Sequence, residues 1–290
     1  MSTADDDAGA GPPAGVSRLV RDGVVASGPI GLAVLLGIVP IVVLFVESLG
    51  PGLGLGNYAE ATRPLYRGVL SYSLRMGIAV TAVCLTVSYP VTYWLAHRCP
   101  ARYRLPTLVA LTLPLWLNYV VLNYAWVWVL ARGGVLNELL VGVGAVAGPL
   151  DLLYTDLSVF VGFVYIYLPY VVLVMYVSME RLDYRLLEAA RDLGATNTRV
   201  FLDVVLPRTL PGAAAATLIV YARIAGAYAT PEILGGPGEV MIASLVTAAF
   251  REYINFGFGA ALSFVFLSIV VAGLLLGAAF PRVREELARQ

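Results

Sequence analysis

Six stretches of this chain are long and apolar enough to cross a lipid bilayer as helices, and nothing else limits its fold so strongly. They run roughly Ser27–Val46, Tyr72–Ala96, Leu105–Leu130, Leu157–Met179, Leu210–Tyr228 and Phe258–Phe280. The hydrocarbon core of a bilayer is matched by about 20 helical residues. Only 13% of the chain is charged, where a soluble domain carries about a quarter, and mean hydropathy is +0.82. The expected fold is all-α, a polytopic bundle of six transmembrane helices. Pro40, Pro90, Pro114 and Pro169 fall inside four of the runs. Each removes a backbone donor and is expected to bend its helix. In a membrane such breaks persist where neighbouring helices satisfy the freed carbonyls, which favours a packed bundle over a lone anchor. Gly273 and Gly277 add a small-xxx-small face to the sixth run, read here as bundle packing.

What the chain lacks is equally restrictive. All 19 basic residues are arginine. Without lysine, neither Schiff-base chemistry nor a Walker-type phosphate loop is available. The single histidine, His97, cannot build an imidazole cluster, and Cys84 and Cys99 have no metal-site spacing. No catalytic residue and no metal site is expected. Formal charge is zero and the pI is about 6.6, so nothing points to nucleic acid. Residues 1–16, rich in Ala, Gly, Pro and Asp, read as a disordered tail without the marks of a secretory leader. Residues 17–290 read as one membrane domain.

Arginine placement sets the orientation. With a cytoplasmic N-terminus, 13 of the 19 arginines fall on inside segments and five outside, and Arg223 lies within a span. Both termini are therefore expected in the cytoplasm, together with the segment 180–209 between the fourth and fifth spans. That segment reads Asp183-Tyr-Arg-Leu-Leu-Glu188-Ala189-Ala190-Arg-Asp-Leu-Gly194, then Ala-Thr-Asn-Thr-Arg-Val-Phe201-Leu-Asp-Val204-Val-Leu206-Pro207. Asp183 is placed to cap a short helix and Gly194 to end it in a left-handed conformation. Thr196 or Asn197 is placed to cap a second helix, which Pro207 follows as the fifth span begins. Leu187, Ala190, Val200, Phe201 and Val204 are expected to be exposed unless covered, with Arg191 and Asp192 as solvated helix charges.

The spacing Glu188-Ala189-Ala190, Gly194, Val204, Leu206-Pro207 resembles the "EAA" loop of permease subunits of ATP-binding-cassette importers, with Val204 where isoleucine is commoner. The resemblance implies a coupling helix-turn-helix seated in a groove of a separate ATPase dimer. Glu188 would make a polar contact there, Gly194 the bend and Phe201 an apolar anchor. It also implies a second, homologous but different permease chain, an extracytoplasmic solute-binding protein and a plasma-membrane location among lipid. This chain would bind no cofactor, with ATP and magnesium used by the partner ATPase.

Leu113-Pro114-Leu-Trp116, Tyr124-Ala125-Trp126, Tyr165-Ile-Tyr-Leu168-Pro169 and Gly226-Ala-Tyr228-Ala-Thr230-Pro231-Glu232 look like segments of spermidine and putrescine permeases. The similarity runs from about residue 57 to 270 and implies a polyamine-type subunit. Leu122 departs from it, standing where that pattern carries arginine. Candidate path residues are Asn118, Asn123, Tyr124, Trp126, Arg223, Tyr228 and Glu232. The aromatics and Glu232 would suit a cation. Arg223 would instead suit an anionic or zwitterionic solute, and Glu232 has a second reading as the cap of a helix over Val240–Tyr253. An ion-gradient-driven secondary transporter is the alternative, but it would need acids within the spans, and these have almost none.

Overall fold

The structure, a computed structural model, describes residues 31–32 and 34–278. The expected tail over 1–16 and both chain ends lie outside the described residues. Everything described is helix or connecting loop, without a strand. Five segments have the length and hydropathy to cross a membrane: Pro64–His97, Tyr119–Gly142, Asp156–Glu180, Asn197–Ala225 and Phe256–Gly273. A sixth apolar helix is described over Val34–Ser48.

That helix, α1 (Val34–Ser48), is stapled at its end. The Ser48 hydroxyl meets Tyr58 Oη at 2.7 Å, and Asn57 Nδ2 donates to the Ser48 carbonyl at 3.1 Å. These bonds fix α2 (Gly56–Ala61) beside it. The long α3 (Pro64–His97) opens on a proline at its first position, where no N–H is needed, and continues through Pro90. The expected third span, Leu105–Leu130, is not one helix. It comprises α4 (Ala101–Thr112), a 3-10 turn (Leu113–Trp116) and α5 (Tyr119–Leu130). Pro114 sits in the turn, Leu117 is extended (ψ 150°), and Asn118 Oδ1 accepts from Val120 N at 2.8 Å to start a new helix. A proline and a capping residue four positions apart outweigh the continuous hydropathy.

After α6 (Val135–Gly142) comes α7 (Asp156–Glu180), opened by a capping box of Thr155 and Ser158 and continuous through Pro169. Half of its window is buried within the chain, against 22–33% for the other four segments, so α7 is the centre of the bundle. It packs against α3 and α10 (Leu206–Ala225), and their shared core includes Val80, Cys84, Phe163, Met175 and Ile224. Close packing needs small residues there. A Cβ on Gly162 would strike Leu234, and one on Gly212 would strike Ser178.

The expected fifth span, Leu210–Tyr228, ends at Ala225, and α11 (Ala229–Leu234) is a separate helix inserted between α5 and α7. Three long-range bonds hold it. Asn123 Nδ2 donates to Thr230 Oγ1 (3.1 Å), the Ser158 hydroxyl reaches the Leu234 carbonyl (2.6 Å), and Tyr154 N donates to the same carbonyl (3.0 Å). The Ser73 hydroxyl accepts from Ile242 N at 2.8 Å, docking α12 (Ile242–Arg251) on α3. The last helix, α13 (Phe256–Ala278), packs on α2 and α12. Most large side chains of α1 remain exposed, as for a helix whose neighbours are lipid or another chain.

Candidate functional site

The segment joining α7 to α10 folds as an elbow. Asp183 Oδ1 accepts from Arg185 N (3.0 Å) and starts α8 (Tyr184–Asp192). Gly194, at φ +85°, ends it, with Ala195 N donating to the Ala190 carbonyl at 3.0 Å. This left-handed closure is why glycine stands there. Thr196 then caps α9 (Asn197–Val200), accepting from Arg199 N, and a π-type turn over Phe201–Val205 leads into α10. Leu206 opens α10, and Pro207 occupies its first turn.

The elbow has two unlike faces. Leu187, Val200 and Val205 are buried in the same core as Met175 and Met179, with Ala190, Phe201 and Val204 packed against it. Leu187, Ala190, Val200, Phe201 and Val204 read from sequence as exposed unless covered, and the cover includes α3, whose Tyr89, Tyr93 and His97 lie against the elbow. Phe201 meets the Tyr89 ring edge-on at 5.6 Å, and the Thr209 hydroxyl donates to Tyr89 Oη at 3.3 Å. Arg191 is not a free helix charge either: its Nη2 donates to Tyr93 Oη at 3.1 Å. Each buried apolar side chain contributes roughly 1.5–3 kcal/mol. The elbow is therefore fastened to α3, α7 and α10 as part of one packed unit. Phe201 thus anchors it inward, to the bundle.

The outer face carries Glu188, Ala189, Asp192, Leu193 and Gly194, all exposed. Leu193, which sequence reasoning passed over, is 89% exposed. The signal available was its position, directly before the left-handed glycine. Beside the elbow, a cleft of about 710 Å³ is lined by Tyr89, Tyr93, Trp94, Arg98, Phe201 and Leu206 among others.

A second hollow, of about 430 Å³, lies where α5, α7 and α10 meet the start of α11. Of the candidate path residues it gathers Asn118, Arg223 and Tyr228. It adds Tyr119, Tyr167 and Tyr170, which sequence reasoning missed although Tyr167 and Tyr170 share a helix face at a spacing of three. The Arg223 guanidinium lies 5.2 Å from the centroid of the Tyr170 ring, and Tyr167 Oη donates to the Arg223 carbonyl at 3.5 Å. The other candidates lie elsewhere. Asn123 is buried against Thr230 and the Tyr119 carbonyl, and Trp126 packs on Tyr165. Tyr124 is exposed away from the hollow. Glu232 borders a different hollow with Gly235 and Ser244. It does not cap α12, which Met241 begins without a side-chain bond, while Glu239 closes the preceding turn by accepting from Gly236 N at 2.7 Å.

The family described as "Binding-protein-dependent transport system inner membrane component" matches residues 88–285, which contain both the elbow and the tyrosine hollow. The chain belongs to that family. It is a permease subunit of an ATP-binding-cassette importer. The permease is 37% identical over 222 residues to the spermidine/putrescine transport system permease protein PotB of Salmonella typhimurium, covering 77% of each chain. It is 32% identical to the inner membrane ABC transporter permease protein YdcU of Escherichia coli, covering 67% of this chain and 66% of that one. Among solved structures, a chain of a bacterial alginate ABC transporter in complex with its pentasaccharide-bound periplasmic protein superposes with a TM-score of 0.78. The match covers 92% of the permease and 97% of that chain, at 13% identity, a likeness of fold.

Proposed function

We propose that the permease crosses the membrane six times with both termini and the elbow in the cytoplasm, and that α8 is its coupling helix. The arginine distribution supports this orientation. The single observation that carries the reading is the two-faced elbow, whose inner face is locked into the bundle core while its outer face presents Glu188, Ala189 and Leu193. A knob fixed to three long helices transmits rigid-body motion. ATPase subunits closing on ATP and magnesium draw the elbow with them, and α3, α7 and α10 follow, switching the path between its two openings. The partners are an ATPase dimer, a second and different permease chain, and an extracytoplasmic binding protein that delivers the solute. The cargo is a small solute of the polyamine class, a reading supported by the similarity to the spermidine/putrescine permease PotB. The hollow beside Arg223 is this chain's share of the path.

Glu188→Ala and Gly194→Leu should leave the permease assembled but uncouple ATP hydrolysis from uptake. Reconstituted complexes carrying either change are expected to lose tenfold or more in ATP-driven uptake. Uptake within twofold of the unaltered complex would remove the elbow from the coupling step.

A further inference from the structure

The cleft beside the elbow runs down into the membrane-spanning part of the bundle. Its α3 wall extends from Thr86 through Tyr89, Tyr93 and Trp94 to Arg98. Those twelve helical steps cover about 18 Å, against about 15 Å for one leaflet of the hydrocarbon core. Phe201, Val205 and Leu206 form the opposite wall. Two charges line the cleft, Arg98 just past the end of α3 and Arg191 on α8, and no Asp or Glu does. Among the described residues the ion pairs are Arg63 with Glu60 and Arg132 with Asp151, so neither of these arginines belongs to one. Arg191 Nη2 donates to Tyr93 Oη at 3.1 Å. That bond leaves the phenol's own proton and the other guanidinium donors for an acceptor in the cleft. Trp94, 47% exposed, stands one turn before Arg98, a placement that suits the polar edge of a bilayer.

We propose that this cleft binds one anionic phospholipid of the cytoplasmic leaflet, its phosphate on Arg98 and Arg191 and an acyl chain along Tyr89 and Phe201. The proposal rests on the orientation given above, which sets this end of α3 at the cytoplasmic surface. An arginine fork matches phosphate oxygens with parallel hydrogen bonds. Basic pockets between membrane helices on the cytoplasmic side take such head groups. The depth of the cleft selects a lipid over a soluble acidic partner. A soluble chain reaches Arg98 and Arg191 but not Thr86, a full leaflet further in, whereas a lipid carries its anion and its apolar chain in that order. Bound there, the phosphate ties the end of α3 to the elbow.

The test counts lipids on the assembled transporter, purified in detergent with its ATPase and second permease and titrated with phosphatidylglycerol or with phosphatidylcholine of the same acyl chains. Native mass spectrometry reads the number retained. The unaltered complex should hold one more phosphatidylglycerol than the double variant Arg98→Gln, Arg191→Gln, and should show no such difference with phosphatidylcholine. Losing both arginines should raise the concentration for half occupancy by roughly tenfold or more, and lysine at both positions should restore part of it. Should the double variant not assemble, Arg98→Gln alone, at an exposed position, gives the same reading. Equal phosphatidylglycerol counts in the unaltered and variant complexes overturn the proposal, as they would if a helix of the second permease fills the cleft. Loss of the lipid to millimolar inorganic phosphate would show a bare anion site and also overturns it. Labelling of Arg98→Cys by a membrane-impermeant thiol reagent from outside the cell would overturn the orientation, and the choice of leaflet with it.

Discussion

Replacing Leu193 by serine removes the most exposed large side chain of the elbow without touching the core beneath it. Leu193 is 89% exposed, so the isolated permease has almost no buried area to lose, and its stability should change by no more than about 0.5 kcal/mol. Under the proposed docking, the same side chain enters a groove on the ATPase. Full burial of a leucine is worth about 1.5–3 kcal/mol, and each 1.4 kcal/mol is tenfold in affinity. Leu193→Ser should therefore raise the Kd for the partner ATPase by roughly 10- to 100-fold. The measurement is a binding titration of purified ATPase against the permease pair in nanodiscs, with thermal unfolding of the permease as the control. An unchanged Kd refutes the docking of this face. A lowered melting temperature would show instead that Leu193 supports the permease's own fold.

The opposite behaviour is expected nearly two turns earlier. Leu187→Ala empties a fully buried position and should cost about 2–5 kcal/mol of stability, read as a lower melting temperature of the permease alone. At the bundle centre, Gly162→Ala places a methyl group against Leu234 and Thr230. Such overpacking costs typically 1–3 kcal/mol and should reduce the yield of folded permease, whereas Gly273→Ala, with nothing within 4 Å, should leave the yield unchanged.

Much of this architecture is written locally in the chain. Apolar runs mark the long helices, and Asp183, Gly194, Thr196 and Pro207 mark the elbow, because caps and left-handed turns depend on a few neighbouring residues. What sequence leaves out is set by distant partners. The end of the fifth span at Ala225 depends on α11 being held by Asn123 and Ser158, residues more than 70 positions away. The burial of Leu187 and Val200 depends on α3 extending beneath the elbow, which no periodicity within the elbow reveals. The hollow needs Tyr119, Tyr167 and Arg223 from three different helices. Reading aromatics along single segments therefore selected Tyr124, which is exposed away from the hollow, and Trp126, which packs on Tyr165. The break at Leu117–Asn118 was written in the chain as a proline followed by a capping asparagine, but the hydropathy of the run conceals it.

The most direct test places a single reactive thiol on the elbow. Leu193→Cys is suitable because the native Cys84 and Cys99 are free and buried. In membranes containing the assembled transporter, a short reagent with one thiol-reactive and one amine-reactive end should join this position to a lysine of the ATPase subunit, with a yield that changes when ATP is added. A thiol at Leu139, in α6, should give no such product. Cross-linking of the ATPase through Leu139 and not through Leu193 would place the motor on the wrong side of the bundle and contradict the account.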